Sequence, residues 1–202
     1  MRHIAHRSYR ARFIAVLTMF AILVSITQIA YADQWSPIGT ARYRNISIGA
    51  GVMDNYRARN VNGNPVVLWQ RDSNPYTASQ MWSGWVRDTD NAVVYYAYAN
   101  NSYPSDYYVL TGHGASGTSS GAPVYVHNYL AQNNQRWYLT WYAPEYNQCH
   151  TTGTYCQAMR PVVSAGMCID NPNSEWTFGR QLWVWGCNGT AAQLFEPLGP
   201  GV

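Results

Sequence analysis

The sequence contains no lysine: all 13 of its basic residues are arginine, against ten acids, and charged residues make up only 11% of the 202. It has almost no helical periodicity, and after residue 32 it has no run near the ~20 apolar residues that span a bilayer. Catalytic patterns are equally scarce. There is no Gly-x-Ser-x-Gly, and Ser119-Ser120 sits in a Gly-rich loop. His113 and His127 lack a companion at metal-ligand spacing. His150 follows Cys149, which is no nucleophile once oxidised. The nearest carboxylate pair, Asp88-x-Asp90, reads as a loop, whereas glycoside hydrolysis needs two carboxylates across the scissile bond. The expectation is a protein that is not an enzyme and carries neither cofactor nor metal.

The first twelve residues hold Arg2, Arg7, Arg10 and Arg12 with no acid, an apolar stretch runs from Phe13 to about Ile29, and Ala30-Tyr31-Ala32 follows. A basic start, an apolar middle and a small-x-small site read as a secretory signal peptide over 1–32, with an uncleaved anchor as the rival. The expectation is a secreted chain, 33–202, that inserts in no membrane once cleaved. Four of the thirteen arginines leave with the leader, so nine face the same ten acids. A net charge near −1 offers no footprint for nucleic acid, and the pI near 8.7 belongs to the leader. The four cysteines lie between Cys149 and Cys187. An even count in an exported chain favours disulfides, and of three pairings the sequence-local Cys149–Cys156 and Cys168–Cys187 are preferred; the spacings lack the C-x-x-C pairs of a zinc site.

Aromatics are abundant, with 17 Tyr and 9 Trp. Short runs such as Val66-Val67-Leu68-Trp69, Ala92-Val93-Val94-Tyr95-Tyr96 and Val124-Tyr125-Val126 are broken by Gly, Asn, Pro and Ser, which predicts an all-β domain. Three segments end alike, in Gln80-Met81-Trp82, Gln135-Arg136-Trp137 and Gln193-Leu194-Phe195, with final aromatics 55 and 58 residues apart. Before each lies a similar run: Gly63-Asn64-Pro65-Val66-Val67-Leu68-Trp69, Gly121-Ala122-Pro123-Val124-Tyr125-Val126-His127, and Gly179-Arg180-Gln181-Leu182-Trp183-Val184-Trp185. Earlier still stand Val52-Met53-Asp54, Val109-Leu110-Thr111 and Cys168-Ile169-Asp170. Three copies of a unit too small to bury its own face imply a closed pseudo-threefold assembly, with repeats about 40–90, 91–145 and 146–202.

Apolar-apolar-Asp, then Gly-x-Pro-Val-x-Leu-Trp, then Gln-x-Trp resembles the repeat of ricin B-chain-like (R-type) lectins, from roughly Val52 to Pro197; Trp185-Gly186-Cys187-Asn188-Gly189 is close to the family's usual wording. The resemblance implies a β-trefoil, twelve strands with six in a barrel and three capping hairpins. It also implies a lectin. Sugars offer hydroxyls on one side and C–H groups on the other, so a site combines a carboxylate or amide with an aromatic plate. The resemblance places Asp54, Trp69 and Gln80 at a first site, and Asp170, Trp185, Asn188 and Gln193 at a third. Ser79 and Ala192 stand where the family often has Asn. The middle repeat keeps Asn134 and Gln135, but Thr111 replaces the Asp and His127 the plate, so that site reads as lost or altered. Against this stand plainer roles: Trp82, Trp137 and Phe195 as core, the Gln residues as partners of buried backbone, and the Asp residues as turn formers. Expected partners are glycans, galactose or N-acetylgalactosamine first and polysaccharides next. The second reading is a protein-interaction module, a toxin delivery subunit or hydrolase inhibitor, using the Tyr-rich stretch from Tyr95 to Tyr108.

Overall fold

A computed structural model describes residues 34–98, 107–114, 119–143, 149, 155–175 and 177–199. The expected leader, 1–32, lies outside the described residues. No helix among them is long and apolar enough to cross a membrane; only one-turn 3-10 segments interrupt thirteen strands.

Six strands close a barrel: β1 (Trp35–Asn45), β4 (Trp82–Arg87), β5 (Val93–Ala97), β8 (Trp137–Tyr142), β9 (Cys156–Pro161) and β13 (Phe195–Leu198). The antiparallel pairings run β1–β4–β5–β8–β9–β13 and return to β1, so no barrel strand keeps a free edge. The remaining strands are three hairpins, β2–β3 (Gly51–Asn55, Asn64–Gln70), β6–β7 (Tyr108–Gly112, Ala122–Asn128) and β10 (Met167–Asp170) with β12 (Trp183–Gly186). The return strand of the third is broken at Leu182, leaving β11 (Arg180–Gln181) as its detached start. Each hairpin also pairs with the next: β3 with β7, β7 with β12, β11 with β3. Six barrel strands and a ring of three hairpins make the β-trefoil.

The repeated signatures explain this geometry. Gly63, Gly121 and Gly179 precede the second strand of each hairpin at φ +83°, +83° and +85°, a region costly to residues with a Cβ. Trp82, Trp137 and Phe195 begin the last barrel strand of each repeat and are fully buried at the centre of the core. The two indoles also fasten barrel to hairpin, Trp82 Nε1–H donating to the Met53 carbonyl and Trp137 Nε1–H to that of Leu110, each at 3.1 Å. Phe195 has no such donor. The structure joins Cys149 to Cys156 and Cys168 to Cys187. Cys149, Cys156 and Cys168 form a small second cluster with Ala158 and Leu194, packed by Ile46 and Tyr142.

Candidate functional site

The three Gln residues of the Gln-x-aromatic motif do the same structural work in every repeat. Each ends a 3-10 turn (Ala78–Gln80, Asn133–Gln135, Ala191–Gln193) and is buried. Its Nε2 donates to the carbonyl ending the hairpin's second strand, at Gln70 (2.8 Å), Asn128 (2.9 Å) or Gly186 (2.9 Å). Its Oε1 accepts the N–H two residues on, from Asp72 (3.0 Å), Leu130 (2.7 Å) or Asn188 (2.8 Å). Gln135 does this where no carboxylate is present, so the backbone role stands independently of any ligand. Gln80 and Gln193 sit behind the surface rather than on it.

Asp54 is the last but one residue of β2 in hairpin one, and Asp170 ends β10 in hairpin three. Register places Asp54 opposite Val67, with Trp69 opposite Val52; Asp170 lies opposite Trp183, with Trp185 opposite Cys168. Facing residues and those two further along share one side of a ribbon, so each carboxylate and its exposed indole form a diagonal pair. Trp69 and Trp185 are 42% and 41% exposed, beside carboxylates only 5% and 6% exposed. The middle repeat puts Tyr125 opposite Thr111 and His127 opposite Val109. There Thr111 turns inward, its Oγ1–H donating to the Val109 carbonyl at 2.9 Å.

The two carboxylates are held differently. Asp170 accepts from Trp183 Nε1–H at 3.0 Å on one oxygen and from Gln193 Nε2 at 2.8 Å on the other. Trp183 in turn stacks on Trp185, centroids 4.9 Å apart and planes 25° from parallel. One indole fixes the carboxylate and backs the other, which is the exposed plate. At the first site Val67 cannot donate, and Ser79 Oγ–H reaches Asp54 at 2.8 Å instead. The Ser at that position therefore positions the acid. Burial raises both carboxyls above their ordinary range, while the hydrogen bonds to Ser79 and Gln80, or to Trp183 and Gln193, pull them back. Neither is a turn residue bonding its own backbone. Asn188 has its Oδ1 taken by the Thr190 N–H and hydroxyl, leaving only its amide N–H groups to a ligand.

Sequence reasoning missed several participants. Asp72 occupies the place of Asn188 and adds a second negative charge near Asp54; aligning Trp69-Gln70-Arg71-Asp72 with Trp185-Gly186-Cys187-Asn188 reveals it. Beyond each acid a one-turn rim carries two left-handed residues, Arg57 and Ala58 (φ 56° and 51°) or Asn173 and Ser174 (59° and 54°). Side chains at such φ cost about 1–2 kcal/mol each, a strain that concentrates at functional sites. The preceding repeat in the ring floors each plate: a Cβ on Gly179 would stand 3.0 Å from Trp69 Cζ3, and one on Gly121 3.7 Å from Trp185 Cζ3. Tyr56 lies beside Trp69, centroids 6.1 Å apart. The sequence carries Asn-x-Ser/Thr glycosylation sequons at Asn45, Asn100 and Asn188; the one at Asn45 is closed in the folded chain, because Asn45 is fully buried and donates to the Ala192 carbonyl. That at Asn100 lies outside the described residues.

No protein-family model matches the chain. A stretch of 34 residues, 16% of the chain, is 69% identical to part of Serine protease 1 of Rarobacter faecitabidus, spanning 6% of that protein. So short a segment is too small to carry a protease domain. Among solved structures, the chain resembles the designed threefold-symmetric protein ThreeFoil (TM-score 0.63, 19% identity, 79% of this chain and 98% of that one). It resembles the Rhizoctonia solani agglutinin at TM-score 0.61 and 14% identity, over 83% and 99% of the two chains. A Macrolepiota procera ricin B-like lectin, solved in complex with lactose, matches at TM-score 0.53 and 16% identity, over 83% and 99%. The fold these likenesses share with the chain is the β-trefoil.

Proposed function

We propose that the protein is a secreted, non-catalytic lectin, with 1–32 a cleaved leader and 33–202 the sugar-binding domain. The observation that carries this reading is the third hairpin, where a buried carboxylate held by two N–H donors lies beside a half-exposed indole backed by a second indole. A carboxylate with both oxygens oriented retains lone pairs for two neighbouring sugar hydroxyls, and the plate takes the C–H face. Rings with hydroxyls gathered on one edge and an apolar opposite face fit best, so galactose and N-acetylgalactosamine come first and polysaccharides bearing them next. The lactose complex of the similarly folded Macrolepiota procera lectin supports that order. The first hairpin offers a second site of the same chemistry with Asp54 and Trp69. Thr111 and His127 lack a carboxylate and a large plate, so the middle hairpin is not a site of this kind. Each shallow site binds weakly, and two on one chain raise the apparent affinity for multivalent glycans.

The test is a glycan array with the purified protein and with a double Asp54→Ala, Asp170→Ala variant. Selective signal competed by free galactose, and lost in the folded double variant, is expected. Signal retained by the double variant sinks the site assignment. A second reading, a protein-interaction module, rests on exposed Tyr98, Tyr107 and Leu130 near Tyr96 and Tyr129. A blank array from folded protein favours that reading.

A further inference from the structure

Residues of all six barrel strands and of the turn between β4 and β5 line a cavity of about 630 Å³, to which no hairpin strand contributes. Register sorts the lining residues by face. Leu139 and Trp141 lie opposite Met159 and Gln157; Met159 is core and Leu139 packs on it, so Gln157 and Trp141 face inward as well. Ala41 and Tyr43 on β1, Val93 on β5 and Pro197 on β13 share that face. Thr40, Tyr138 and Arg160 stand at the alternate positions, with side chains on the outer face. Among the described residues, the inner wall therefore carries no charge.

That wall is polar in one place. Register makes Ala41, Val93 and Gln157 equivalent, since they face Trp82, Trp137 and Phe195 respectively. Two repeats put an apolar side chain there, and the third puts a glutamine that is 1% exposed. Gln157 Nε2 donates to Tyr95 Oη at 3.1 Å, and among the described residues nothing donates to its Oε1. Tyr95 is hydrogen-bonded in turn to Tyr43, whose hydroxyl burial pushes up to about 12 and so keeps neutral. Because Tyr95 accepts from Gln157, its own proton serves Tyr43, and the Tyr43 proton has no acceptor among the described residues. The relay thus ends in an open acceptor, Gln157 Oε1, and an open donor, Tyr43 O–H, on two buried side chains that both line the cavity. Buried polar groups left unmatched cost stability.

One hydroxyl answers both groups, donating to the amide and accepting from the tyrosine. Around them stand Ile38, Val86, Val93, Leu139 and Pro197, whose side chains offer no further hydrogen bond, and the 54%-exposed Trp141 lies directly across from Gln157 at the mouth. A free sugar would bury more hydroxyls against these walls than the two groups can meet, at a cost for each. We propose that the barrel mouth is a second kind of binding site, taking a phenol of one or two rings, its hydroxyl inward on Gln157 and Tyr43 and its ring against Trp141. Ligand pockets run to roughly 300–1,000 Å³, a range that includes this one. The proposal is independent of the hairpin reading.

The experiment is calorimetric titration of the full protein with naphthol and with its methyl ether, which has lost the donor. Wild type is expected to bind naphthol at least fivefold tighter than the ether. Gln157→Met, close in size but without the amide oxygen, is expected to erase that preference, and Trp141→Ala to weaken naphthol binding fivefold or more. Saturating galactose and the Asp54→Ala, Asp170→Ala double variant are expected to leave naphthol binding unchanged. Equal binding of naphthol and ether, a preference that survives Gln157→Met, indifference to Trp141→Ala, or competition by galactose overturns the proposal. Should Gln157→Met fail to melt cooperatively, the wild-type preference and Trp141→Ala decide.

Discussion

Trp183→Phe isolates one hydrogen bond of the third hairpin. The phenyl ring keeps an aromatic surface against Trp185 but loses the N–H that reaches Asp170 at 3.0 Å. A hydrogen bond to an ionised group contributes about 1.5–3 kcal/mol. That bond acts on the carboxylate form only, so its removal shifts the balance toward the protonated acid by roughly 10- to 150-fold at 1.4 kcal/mol per decade. Asp170 already sits above its ordinary range because of burial. The variant must therefore hold its ionised form only at higher pH, and one of its two fixed oxygens is freed to rotate. The assay is galactose binding against pH, by calorimetry, in an Asp54→Ala background where the third site alone reports. Binding is expected to weaken at least tenfold near neutrality and to fail at a distinctly higher pH than with Trp183 present. Equal affinity and an unmoved pH profile would refute the reasoning, because Asp170 would then owe nothing to Trp183.

In the unmodified protein, desolvation raises both Asp54 and Asp170, so sugar binding is complete above the raised values and is lost as pH falls through them, above the ordinary carboxylate range. The folded state takes up these protons more readily than the unfolded chain, so both acids favour the fold at low pH and that contribution fades as pH rises. Thermal melts should thus stay cooperative where galactose titrations already fail; simultaneous loss of both would count against it. Gly179→Ala forces a Cβ onto φ +85° and within 3.0 Å of Trp69, and is expected to cost about 1–2 kcal/mol while damaging the first site and sparing the third. Equal damage at both sites, measured by titration of each single-site background, contradicts the cross-repeat floor. Gln135→Ala orphans the Asn128 carbonyl and the Leu130 N–H, and is expected to lower stability by about 1–3 kcal/mol in urea with no change in galactose binding. Replacing Cys168 and Cys187 by Ser opens a loop of 19 residues, about 3 kcal/mol by chain entropy, and should weaken the third site before the first.

The sequence alone determined the threefold architecture, because a unit that cannot bury its own face must recur, and its turn glycines and buried aromatics recur at nearly one spacing, with an Asp-bearing strand in two of the three copies. It also determined which hairpins carry an acid and a plate, since alternation in a ribbon puts Asp54 with Trp69, and Asp170 with Trp185, on one side. Only the tertiary structure decided how those acids are held. Trp183 and Trp185 are identical in type and two residues apart, yet one lies directly across from Asp170 and donates to it while the other lies diagonal and exposed; strand register settles that. Ser79 gains its role from folding back onto Asp54, 25 residues earlier in the chain. Gly179 serves Trp69 from another repeat, a contact that exists only because the hairpins close into a ring. Gln157 gives no local sign that it faces the inside of a barrel, because burial belongs to the closed sheet and not to the strand.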